Sequence, residues 1–168
     1  MQFKISCLLF IRDDSDRILM IKRRKPPNLS TWSPPGGKME MGLGESPFEC
    51  AKREANEEVG LVLENSDLSL FAYISEKSYE GNSHWLMFLF DCHARLNYLP
   101  KDIDEGSFQF FTRSEIDSIS IPPTDHELIW PYYDRRKEGF WGLKADFSNS
   151  SLNLEVEAKP AHYINEGC

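Results

Sequence analysis

The stretch Arg53-Glu54-Ala55-Asn56-Glu57-Glu58-Val59-Gly60-Leu61 constrains this chain more than any other. At about 100° per residue a helix gathers Glu54, Glu57 and Glu58 onto one side, because i, i+3 and i+4 side chains are surface neighbours. Phe48, Ala51, Ala55 and Val59 fall on a different arc of the same helix and make an apolar stripe for a core. Carboxylates crowded together repel one another. The repulsion is relieved where a hard divalent cation sits between them, since Mg2+ prefers oxygen ligands and binds through a few carboxylates plus substrate phosphates. The alternative is an ordinary solvated helix face, which is the usual fate of an isolated Glu-Glu pair.

The residues upstream favour the first reading. Trp32-Ser33-Pro34-Pro35 leads into Gly36-Gly37-Lys38, and Glu45 precedes Ser46-Pro47. Ser46 suits an N-cap, Pro47 the first helical position, and Glu49 completes a capping box. Gly60 suits a left-handed cap at the far end. The segment is therefore a glycine turn, a loop and a capped acidic helix.

Gly37, Glu45, Arg53, Glu54, Ala55, Glu57, Glu58, Gly60 and Leu61 together resemble the signature of the Nudix hydrolases, G-x5-E-x7-R-E-U-x-E-E-x-G-U, with U a bulky aliphatic. One departure is clear: seven residues, not five, separate Gly37 from Glu45. The extra length lies in a stretch holding Gly42 and Gly44, which can absorb an insertion. The resemblance implies an α/β/α sandwich with a mixed, partly antiparallel sheet. It also implies hydrolysis, by water, of a nucleoside diphosphate linked to another moiety. Mg2+, with Mn2+ as a substitute, would be held by Glu54, Glu57, Glu58 and the Gly37 carbonyl, supported by Glu45. Arg53 is expected to hold a glutamate in place, as the i, i+4 partner of Glu57. Lys38 is either a phosphate contact or an exposed loop lysine. The general base is Glu57 or an acid from a later loop, here Glu105, whose other reading is a plain solvated acid.

Composition fits one compact domain over residues 1–158, with a mobile tail from 159 to 168. The chain has 168 residues, 40% of them hydrophobic and 27% charged, and a formal charge of -8. That charge argues against sequence-independent binding of duplex nucleic acid. The four cysteines show no paired metal-ligand spacing, and no apolar run reads as a signal peptide or membrane span. The expected setting is a reducing cytoplasm.

Strands are expected over 3–11, 17–21, 68–75, 84–92 and 108–112, with an irregular proline-bracketed loop around Trp32. A helical turn over 114–118 would be capped by Ser114, a second helix is expected over 125–136, and a terminal hairpin over 141–147 and 152–156. Such mixed elements imply a sheet covered on both faces.

The region from Glu105 through Asp125 to Pro131 resembles, within that family, the oxidised purine nucleoside triphosphatases related to MutT. Asp125 then lines up with a base-reading acid, although aspartate is also favoured as a helix cap. Ser33 stands beside Trp32 where that subgroup has asparagine, and offers one hydroxyl in place of an amide. Trp32, Trp85, Phe71 and Phe90 can stack on a base or fill the core; strand aromatics more often do the latter. Three readings stay open: a nucleoside triphosphate pyrophosphohydrolase, an ADP-ribose or dinucleotide pyrophosphatase, and a nucleotide-sensing module without turnover.

Overall fold

The computed structural model describes residues 2–81 and 83–161. Its centre is a nine-stranded mixed sheet. The strands are β1 (Phe3–Arg12), β2 (Ile18–Arg23), β3 (Trp32–Ser33), β4 (Gly36–Lys38), β5 (Leu68–Tyr79), β6 (Ser83–Arg95), β7 (Gly106–Phe111), β8 (Trp141–Asp146) and β9 (Asn153–Ala158). The main order is β3-β2-β1-β6-β5-β8-β9, with β4 beside β1 and β7 beside β2. β1–β6 and β5–β8 are parallel pairs, and the other pairs are antiparallel.

Helices cover both faces, as the sequence implies. α1 (Pro47–Val59) buries Cys50, Ala51, Ala55 and Val59, and these pack with Cys7, Leu9 and Ile11 of β1. The opposite face carries α2 (Arg113–Ile116), α3 (Asp125–Leu128) and α4 (Trp130–Asp134). Its core includes Phe10, Phe71, Trp130 and Tyr133, and the Phe10 ring lies 4.9 Å from Tyr133 and 5.5 Å from Trp130. Each such aromatic, fully buried, is worth roughly 1.5–3 kcal/mol. Phe71 and Phe90 are therefore core residues and not stacking platforms.

Two local expectations are corrected. The turn after β7 is capped by Thr112, not Ser114: the Thr112 hydroxyl accepts from the Glu115 N–H, and the Glu115 carboxylate accepts from the Thr112 N–H. Thr112 is still extended at the strand end, which is the conformation an N-cap needs. The expected single helix over 125–136 is two short ones, α3 and α4, broken at Ile129. Pro131 has no N–H to continue the ladder and suits the first turn of a new helix. The loop around Trp32 also holds a two-residue strand, too short for a periodicity to reveal. The terminal hairpin is present as β8 and β9. Of the tail, Pro160 is buried against Gly139, and residues 162–168 lie outside the described residues.

Candidate active site

Local chemistry places the acids. Ser46 and Glu49 form the reciprocal capping box, Pro47 opens α1, and Gly60 closes it in the left-handed conformation. With Ala51, Ala55 and Val59 pinned to the sheet, Glu54 is buried, Glu58 half-buried and Glu57 exposed. β4 lies alongside β1 with Gly37 opposite Cys7. A side chain on Gly37 would put its Cβ 2.1 Å from Glu54 Oε1, so the space a residue would fill is taken by that carboxylate.

Arg53 is the hub of the cluster. Its Nε donates to Glu45 Oε1 at 2.6 Å and its Nη2 to Glu45 Oε2 at 3.0 Å. Its Nη1 reaches Glu54 at 2.9 Å and Glu57 at 3.2 Å, and Nη2 also donates to the Lys38 carbonyl at 3.0 Å. The expected Arg53–Glu57 pair exists, but the two-pronged partner is Glu45. The guanidinium holds the Glu45 carboxyl below the usual carboxylate range. The two extra residues are taken up by a 3-10 turn over Met41–Leu43, closed by Gly44 at φ 64°. Glu45 reaches back across it to accept from the Glu40 N–H at 2.9 Å. The insertion thus leaves the acidic cluster intact.

Glu58 is held differently. One carboxylate oxygen, Oε2, is buried without a hydrogen-bond partner. Burial first, then the charges of Glu54 and Glu105, push its pKa up to about 8. Burial also raises Glu54, against the opposing pull of Arg53. Glu105 lies in the exposed turn before β7, so the fold does bring the later-loop acid towards the helix. Among the described residues these acids are not already closed into a ligand cage, since Arg53 engages Glu54 and Glu57. An orphaned carboxylate oxygen, acids pushed towards protonation and an all-oxygen donor set fit a hard divalent cation, which reverses both penalties.

Of the residues expected on the substrate side, Trp32, Lys38 and Asp125 lie around the other face of the sheet, and Ser33 does not. Trp32 packs on Phe111 at 4.9 Å between ring centres, and its backbone N–H donates to the Ser120 carbonyl. Ser33 pairs with Ile21, which belongs to the core beneath α1; neighbouring residues in an extended strand point to opposite faces. Lys38 follows Gly37 and extends its Nζ over the Trp85 ring, 5.9 Å from its centre. Asp125 is the first residue of α3 and makes no side-chain cap there. Burial and the charge of Glu76 push its carboxyl up to about 8. Glu76 and Lys4 were not singled out as site residues from sequence, whereas Trp85 was named there as a candidate stacking ring. The signal for Glu76 was readable, because Ala72, Ile74 and Glu76 share strand parity and an acid on the buried side is anomalous.

This arrangement, a glycine strand against a capped helix whose acids share one arginine, defines a class of phosphate-handling enzyme. The NUDIX domain family matches residues 2–135, so the chain belongs to that family, whose enzymes hydrolyse phosphoric anhydride bonds. It is 29% identical over 129 residues to an ADP-ribose pyrophosphatase of Methanocaldococcus jannaschii, covering 77% of this chain and 72% of that protein. It is 30% identical over 119 residues to the 8-oxo-dGDP phosphatase NUDT18 of Mus musculus, covering 70% of this chain but 34% of that protein. The fold is shared with the MutT protein of Bacillus halodurans, at a TM-score of 0.72 and 22% identity, over 94% of this chain and 99% of that one. Among the described residues no helix is long and apolar enough to cross a membrane.

Proposed function

We propose that the protein is a Mg2+-dependent pyrophosphohydrolase that cleaves a purine nucleoside triphosphate, oxidised or unmodified, to the monophosphate and pyrophosphate. The observation that carries this reading is the partnerless buried oxygen of Glu58 near Glu54, whose own carboxylate fills the space at Gly37. Glu54, Glu57, Glu58 and the Gly37 carbonyl would hold Mg2+, with Mn2+ as a substitute. The bound cation would neutralise the diphosphate and acidify water. Arg53 fixes the carboxylates in register through Glu45, and Lys38 stands on the same strand to meet a phosphate. Glu105 accepts the proton of the attacking water at its carboxylate, close to Glu58 but open to solvent.

Asp125 supports a purine substrate: a half-buried carboxyl with no capping bond is free to read the edge of a base. Trp32 would border the same pocket, while Ser33 faces the α1 side of the sheet. The M. jannaschii relative makes ADP-ribose the competing substrate. The test is product chromatography after incubation with 8-oxo-dGTP, dGTP, ADP-ribose and diadenosine polyphosphates, with and without Mg2+. Monophosphate and pyrophosphate from the purine triphosphates are expected. AMP and ribose 5-phosphate as the dominant products would replace this substrate by ADP-ribose.

A further inference from the structure

Glu76 is 7% exposed, and among the described residues its carboxyl has no hydrogen bond or ion pair. A buried carboxyl without a partner is costly. Its surroundings give it a use. Across the sheet, Lys4 of β1, Trp85 of β6 and Glu76 of β5 are direct register partners, so they share one face. Lys4 Nζ lies 5.3 Å from the centre of the half-exposed Trp85 ring, and Lys38 Nζ approaches the same ring from β4. The row therefore runs from cations on the glycine-strand side, through an aromatic face, to a buried acid. Asp125 descends from α3 near enough for the Glu76 charge to act on it.

We propose that Glu76 is a specificity-determining residue of the nucleotide pocket, acting with Asp125 to recognise a base edge that presents adjacent N–H donors, as a guanine-type purine does. Trp85 supplies the stacking face and Lys4 lies on the phosphate side. This rests on the nucleotide reading above and names its base. A guanine edge offers a ring N–H and an amino group side by side, and carboxylate oxygens are their natural acceptors. Adenine and cytosine lack that pair.

The test is calorimetric affinity for α,β-methylene analogues of dGTP, dATP and dCTP, measured on the full chain with Mg2+. Wild type, Glu76→Gln and Glu76→Met are compared, the last filling the site without a polar group in case the amide perturbs folding. The wild type is expected to favour the guanine analogue by about 10-fold or more. Both variants should compress that ratio to about threefold or less, with the dATP and dCTP affinities nearly unchanged. An unchanged ratio, an equal loss for all three bases, or no base preference in the wild type would overturn the proposal. Because affinity is read and not turnover, a preference that Glu76→Gln abolishes supports it even where no nucleotide is hydrolysed. Hydrolysis with a preference untouched in the variants refutes it and leaves the enzymatic reading standing.

Discussion

Gly37 and Glu54 occupy one space: the volume where Gly37 lacks a side chain is filled by the Glu54 carboxylate, 2.1 Å from the Cβ that any other residue would carry. The neighbouring backbone is fixed by its pairing with Cys7, so the carboxylate must give way to any substitution. Gly37→Ala is expected to lower kcat about 10- to 100-fold, the range seen when a metal ligand's support is displaced. Circular dichroism of the folded variant should remain that of the wild type. A Gly37→Ala enzyme of normal turnover would show that the Glu54 position does not matter.

Arg53 joins Glu45, Glu54, Glu57 and the Lys38 carbonyl through one planar fork. Lysine keeps the charge but cannot reproduce that geometry. Arg53→Lys should lower kcat far more than it raises KM, because the acids lose their register while the substrate pocket stays whole. Steady-state kinetics on the best substrate separates the two. A change confined to KM would point instead to a phosphate contact.

Glu57 is exposed and accepts from Arg53 at 3.2 Å. Glu57→Gln removes a charge and almost no packing. Turnover should fall by about 10^2 or more, while the midpoint of thermal unfolding stays within a few degrees. Wild-type rates in this variant would reduce the helix acids to a solvated face.

The fold and the acidic cluster were legible because their signals are local. The capping box at Ser46, the cap at Gly60 and the apolar stripe of α1 all follow from spacing along one helix. Other features depend on groups distant in sequence. Glu45 outranks Glu57 as the partner of Arg53 only because the 3-10 turn at Met41–Leu43 folds the loop back. The break at Ile129 needed Pro131 weighed against a long polar and aromatic run. Glu76 and Trp85 become neighbours only once β5 and β6 pair in a particular register, and no single segment encodes that.

Stability should fall as pH rises from about 5 to 8 in the absence of nucleotide. Burial raises Glu76 from 4.5 to about 7, and burial with the Glu76 charge raises Asp125 from 3.8 to about 8. A raised acid favours the folded state fully below its unfolded pKa, and that contribution is lost as pH climbs through the folded value. The slope is at most about 1.4 kcal/mol per pH unit for each group. Urea unfolding at pH 5, 6, 7 and 8 should show a flatter dependence in Glu76→Gln than in the wild type. Equal slopes would mean that Glu76 is charged and accommodated in the fold.

Binding of Mn2+ to the nucleotide-free protein, followed by water-proton relaxation, most directly tests whether the helix acids hold a cation. The wild type should bind Mn2+ and be displaced competitively by Mg2+, and the combined Glu54→Gln, Glu57→Gln, Glu58→Gln variant should lose that binding at least about 10-fold. Equal Mn2+ affinity in the two proteins, each shown to be folded, would contradict the account.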